Sequence, residues 1–199
     1  MSKPTIEIGG VEYPMTQLKK TLQKIGKIWR KNARISLRKQ DKVNTGALYN
    51  SMSVTVGEDN EGYFVNITPQ VHYWEFVDKG VQGASRNIFT RQSDSPFKFG
   101  SGKGPRGLRG AIDKWVRKKG FQFQSREEGS KGRFLSYEAT AFMVSRAVWN
   151  RGLKPTFFLS DTRKRLKAKA LKWLGLAIGA DVANALRLNL KLNKNVDVK

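Results

Sequence analysis

The chain predicts an α+β fold: an antiparallel sheet of about four strands packed against a long N-terminal helix and further helices, with extended loops and a C-terminal helix. Three observations carry that expectation. Residues 16–40 repeat apolar side chains at helical spacing, residues 51–68 alternate like a hairpin, and residues 136–150 and 161–190 return to the helical period. The 199 residues suit a core domain at 15–160, a short arm at 1–14, and a basic C-terminal helix and tail at 161–199. A hydrophobic share of 39%, with 11% aromatic, argues for a packed core and against disorder.

The elements follow in order. Gly9-Gly10 between Ile6, Ile8 and Val11 predicts a small hairpin or a docking arm. From Thr16, the expected N-cap, to about Gln40, the residues Leu18, Leu22, Ile25, Ile28, Trp29 and Leu37 mark one helix. At a rise of about 1.5 Å per residue it is about 37 Å long. Asn44-Thr45-Gly46 then reverses the chain, a place for a backbone with positive φ. Met52, Val54 and Val56 share one strand face, residues 58–62 make a loop, and Tyr63 to Thr68 alternate again. Tyr73 to Val77 reads as a third strand.

Residues 80–107 form a glycine-rich loop insertion, and a loop that long inside a domain is functional or disordered. Leu108, Ile112, Trp115 and Val116 mark a short amphipathic helix with Gly120 just past its end. Ser136 caps a helix to about Asn150, with Ala139, Phe142, Met143, Ala147 and Val148 on its inner side. Pro155 to Leu159 is expected to be extended. Ser160 or Asp161 caps the last helix, where Gly175 and Gly179 mark a break or a close approach to a neighbouring chain. The tail from Lys191 to Lys199 reads as flexible.

Charge narrows the partners. There are 38 Lys and Arg against 16 Asp and Glu, a formal net charge of +22, which attracts polyanions. Lys19, Lys24, Lys27, Lys31, Arg34 and Arg38 crowd one side of the first helix, and Arg163, Lys164, Arg165 and Lys167 open the last one. These are the candidate interface or DNA-facing residues; the bland alternative is a solvated helix face. The second run sits near the positive end of a helix dipole, at a cost of about 0.3–1 kcal/mol per charge, which favours a partner. There is no apolar run long enough for a membrane span, and the first residues lack a signal region, which argues against secretion. Cysteine is absent, in keeping with a reducing cytoplasm.

Chemistry is sparse. His72 is the single histidine, and no Ser/His/Asp set assembles around it. The acids are scattered rather than gathered into metal-binding clusters. Gly100-Ser101-Gly102-Lys103-Gly104 lacks the P-loop spacing and is followed by Pro105. Neither a cofactor nor a metal site is expected. Glu75 lies among aromatic residues, so it needs a cationic partner in the subunit or across an interface, or else an exposed edge position.

Three segments carry a resemblance: Asn44-Thr45-Gly46-Ala47-Leu48-Tyr49-Asn50-Ser51, then Tyr73-Trp74-Glu75-Phe76-Val77-Asp78-Lys79-Gly80, then Gly152-Leu153-Lys154-Pro155-Thr156-Phe157-Phe158. A fourth, Ala111-Ile112-Asp113-Lys114-Trp115-Val116, precedes Ala141 to Arg151 at the matching distance. Together, over about residues 16–165, they resemble the neck or tail-completion proteins of long-tailed, lambda-like bacteriophages. The 80–107 loop and the long last helix depart from that pattern. The resemblance implies a virion protein, assembled in the host cytoplasm, that is not an enzyme. Its partners would be itself, as a sixfold cyclic homo-oligomer, the head-connector and tail-tube or tail-terminator proteins, and genomic DNA in the lumen, with no membrane. Asn44, Thr45, Gly46, Trp74, Pro155, Phe157 and Phe158 would be structural, the last three positioning a strand that closes the sheet or meets the next subunit.

Overall fold

The computed structural model describes residues 4–59, 62–85, 88, 91–100 and 104–196, without the side chains of 192–196. Along the chain come β1 (Thr5–Ile8), β2 (Val11–Pro14), α1 (Thr16–Lys39), α2 (Ala47–Ser51), β3 (Met52–Asp59), β4 (Gly62–Pro69), α3 (Trp74–Lys79), β5 (Val81–Gln82), α4 (Arg106–Lys119), α5 (Tyr137–Arg151), β6 (Gly152–Leu153) and α6 (Ser160–Val196). They form two compact units, Met1–His72 with Phe157–Lys199, and Tyr73–Thr156. The arm, α1 and the last helix belong to the same unit.

In the first unit α1 buries Leu18, Leu22, Ile25, Trp29, Ala33 and Leu37, the side that the apolar spacing predicts. Its end is a left-handed turn at Asp41 (φ 50°), with the Lys42 N–H reaching the Leu37 carbonyl at 2.9 Å. α6 runs antiparallel to α1. Asp181 meets Gln17 and Leu18, Trp173 meets Lys24, and the Leu159 carbonyl accepts from Trp29 Nε1 at 3.2 Å. The β3–β4 hairpin packs on α1 at Gly26, where a Cβ would run into the Val54 side chain. Met15, Leu18 and Leu22 draw Ile6 of β1, Val56, Tyr63 and Val65 of the hairpin, and Leu174 of α6 around one core.

The second unit is built around a buried amide. Gln92, in a 3-10 turn at Gln92–Asp94, donates to the carbonyls of Val81 and Arg151, both at 2.7 Å, and accepts from the Ile88 N–H at 3.1 Å. Those bonds tie the 80–107 segment to the β5–β6 pair. Gly152 (φ 80°) has no room for a Cβ, because the Val81 carbonyl and the Gln92 amide stand where it would lie. Gln82 adds bonds to Ser93 and Ser95, and Ser95 Oγ donates to the Gly80 carbonyl at 2.8 Å. Much of the insertion is therefore folded onto its own unit.

Mixed helix and strand is the observed class, but the single four-stranded sheet is not. Among the described residues the strands form three two-stranded antiparallel sheets, β1–β2, β3–β4 and β5–β6. The expected strand at Tyr73–Val77 is helix α3, because a short apolar run fits either state, and Glu75 and Lys79 pair at i,i+4 spacing. Pro155 to Leu159 is not a strand; the paired residues are Gly152 and Leu153. Strands β3 and β4 extend to Asp59 and Gly62, tightening the expected loop. On α5 the buried residues are Thr140, Ala141 and Ser145, while Phe142 and Met143 are exposed. α6 passes through Gly175 and Gly179 without a break, since burial of Ala177, Asp181 and Ala185 outweighs about 1 kcal/mol per glycine. Ser136 caps α5 and Gly120 ends α4 as expected. The Ser101–Lys103 part of the glycine-lysine loop, Asn60-Glu61 and the last tail residues lie outside the described residues.

Thr16 is not the N-cap of α1. Met15 holds that position without a side-chain bond, and the buried Asp181 carboxylate caps from α6 instead, at 3.0 Å from the Gln17 N–H and 2.8 Å from that of Leu18. Asp181→Asn is expected to lower the unfolding free energy by about 1–3 kcal/mol, since one accepting oxygen becomes an NH2 group that cannot accept and the remaining bond loses its charge-assisted character. Urea titration should show a lower midpoint at unchanged slope; an unchanged midpoint would mean the cap contributes nothing.

Candidate interaction surface

Antiparallel packing sets the basic start of α6 alongside α1. The N-terminal half of α6 lies beside the C-terminal half of α1, as the Trp29 contacts with Leu159 and Arg163 require. Several of these cations already serve the fold. Lys24 Nζ sits 5.4 Å from the Trp173 ring centre, and the Arg163 guanidinium 6.0 Å from that of Trp29. Arg34 and Arg38 stack on the Tyr49 ring at 4.9 and 4.6 Å, and Arg34 Nε donates to the Tyr49 carbonyl at 2.9 Å. They clamp the α2 turn to α1. Lys19 is half-buried, whereas Lys27, Lys31, Lys164, Arg165 and Lys167 are exposed.

The motif residues build joints. Gly46 (φ 81°) starts α2, its carbonyl accepting from the Asn50 N–H at 2.8 Å, while Thr45 Oγ1 accepts from the Ala47 N–H at 3.3 Å. Asn44 is exposed. Trp74 opens α3, and Glu75 finds its cation within the chain, 2.9 Å from Lys79 Nζ. Pro155 is buried beside Gly80, and Thr156 Oγ1 donates to the Val77 carbonyl at 2.7 Å. Phe157 takes a positive φ of 48°, and Phe158 is fully buried, its carbonyl accepting from Thr162 Oγ1 at 2.7 Å. His72 is exposed. Among the described residues, no group of three or more His, Cys, Asp or Glu side chains is placed to hold a metal ion, and no helix is long and apolar enough to cross a membrane.

The largest feature that the sequence reading left aside is the outer face of α6. Lys164, Lys167, Leu171, Gly175, Ile178 and Val182 follow one another at three- and four-residue steps, so they share one side of a continuous helix. Leu171 is 60% exposed and Ile178 41%. The buried stripe through Leu166, Ala177, Asp181 and Ala185 is a different side of the same helix. A helix with two apolar sides and only one covered presents its second side to something else. Nothing lies within 4 Å of a Cβ built on Gly175 or Gly179, so the packing of one chain does not demand glycine at either position. The spacing was legible; which apolar side would be covered was not.

The β3–β4 hairpin carries the opposite charge. Glu58 and Asp59 are exposed, and the Tyr63 hydroxyl donates to Glu58. Desolvation, then the Glu58 hydrogen bond and its negative charge, push the Tyr63 phenol above its ordinary value. On the same hairpin the Phe64 ring covers Gly57, its cross-strand partner.

Two outcomes follow. A phenol with a raised folded pKa stabilises the fold fully below its unfolded value, and the contribution is lost as pH rises through the folded one. The wild-type melting temperature should therefore fall more steeply above about pH 10 than that of Tyr63→Phe; parallel profiles would remove Tyr63 as a contributor. Gly175→Ala and Gly179→Ala should each raise stability by up to about 1 kcal/mol in chemical denaturation. A loss of stability would mean that the single chain's own packing needs the glycines. No protein-family model matches the chain, and no curated protein or solved structure is detectably similar to it.

Proposed function

We propose that the chain is a structural virion protein of a tailed bacteriophage, one that forms a ring in the neck, joins the capsid connector to the tail tube and lets DNA pass. It acts by surface complementarity, without cofactor or catalysis. The observation that carries the reading is the uncovered side of α6, where an apolar stripe continues into lysines. A soluble chain that leaves such a stripe bare is built to be covered by protein. The motif order supports the same reading, because the shared segments hold turns and joints (Gly46, Thr156, Phe158) instead of converging on a cleft. Ring closure needs two unlike surfaces on each subunit, sixfold in the family that the motifs resemble. The basic helices and the acidic hairpin are unlike in that sense.

A second reading, a basic non-catalytic DNA-binding protein, is favoured by one observation: two packed helices, α1 and α6, both carry exposed lysines, Lys27 and Lys31 on one and Lys164 and Lys167 on the other. The two readings separate in one set of measurements on nuclease-treated protein. Light scattering after size exclusion at moderate salt should give a discrete oligomer, or a chain that moves into the tail fraction when isolated phage tails are added. A monomer that ignores tails but binds duplex DNA, with affinity falling steeply as salt rises, would replace the joining protein by the DNA binder.

A further inference from the structure

We propose that the β3–β4 hairpin of one copy docks on the outer face of α6 in the next, so that the contact between subunits is head-to-tail. The proposal rests on the ring reading for one thing, the identity of the occupant as a second copy. The charge distribution points to it. In a chain of net charge +22 there is no lysine or arginine between Lys42 and Lys79, and the acids Glu58, Asp59, Glu61, Glu75 and Asp78 all fall in that stretch. The hairpin at its centre is a negative surface on a positive molecule. Opposite signs on one chain favour contact between unlike faces of two copies. Pairing α6 with α6 would instead oppose like charges.

The hairpin is also exposed in the way a docking element is. Among the described residues β3 and β4 pair only with each other, leaving the outer edge of each strand open. Open edges are usually guarded by lysine, and this hairpin has none. Its outer face offers the Asp59 carboxylate and the Phe64 ring, 36% exposed, while Glu58 adds charge from the Tyr63 side of the hairpin end. The α6 face offers the matching order, Lys164 and Lys167 followed by Leu171, Gly175 and Ile178. Lengths agree as well. Lys164 to Ile178 spans about 21 Å of helix at 1.5 Å per residue, and the strand from Met52 to Asp59 spans about 24 Å. With Asp59 on the lysines, Phe64 on the same hairpin face reaches the Leu171 region, and the glycines let a strand approach the helix closely.

The test is charge reversal with complementation, read by light scattering after size exclusion, with circular dichroism as the check on folding. One variant carries Glu58→Lys and Asp59→Lys, the other Lys164→Glu and Lys167→Glu; all four side chains are exposed. Each variant alone should fall from the wild-type oligomer to a single chain. Mixed in equal amounts they should reassemble, because each reversed surface then meets its opposite on the other variant. Should a double variant unfold, Asp59→Lys and Lys164→Glu carry the same test singly. A wild-type oligomer that survives both reversals, or variants that stay monomeric on mixing, would overturn the docking and leave the ring reading standing. Loss of the oligomer in the helix variant alone would mean that α6 takes another polyanion, DNA included, and would also overturn it. A wild-type chain that is monomeric throughout would remove both.

Discussion

The first unit depends on one carboxylate. α1 starts without a side chain of its own to accept its leading N–H groups, and Asp181 reaches across from α6 to accept two of them. That bond joins positions far apart in sequence, 17–18 and 181, so it forms only when the two helices lie antiparallel in one register. The same register sets Trp173 against Lys24 and Leu159 against Trp29. A buried carboxylate is costly unless paired or bonded, and here the helix N-terminus supplies the compensation. Any slip along the seam would strand the charge as well as expose apolar surface.

The second unit has a comparable device made from neutral groups. Gln92 is fully buried and bonds to backbone from the β5 strand, the end of α5 and the loop between. An amide in that position holds a segment poor in apolar residues, which hydrophobic burial alone could not fix. Gly152 is part of the same joint, since only a residue without Cβ lets the Val81 carbonyl and the Gln92 amide come so near.

Once α1 and α6 are locked, the surface character follows. Aromatic rings absorb some of the cations: Tyr49 takes Arg34 and Arg38, and Trp29 takes Arg163. Lys164 and Lys167 remain on the outer side of α6, in line with the bare apolar stripe. Function on this view lies in faces and not in a pocket. The groups that would bind a partner are those the internal packing leaves over.

The sequence by itself determined the local elements. Period placed α1, α4, α5 and the β3–β4 hairpin, Ser136 and Gly120 marked two helix ends, Gly46 gave the left-handed turn, and the basic residues of the candidate surface could be named one by one. These are short-range consequences of side-chain spacing and backbone preference. Tertiary structure decided the rest, for a physical reason in each case. Trp74–Val77 is helical because so short a segment, mostly aromatic and apolar, has no preference strong enough to resist its surroundings. The covered side of α6 depends on which of two apolar stripes meets α1, and periodicity does not rank them. Asp181 and Gln92 are ordinary polar letters in the sequence. They became structural anchors only when distant backbone groups were brought within hydrogen-bonding reach.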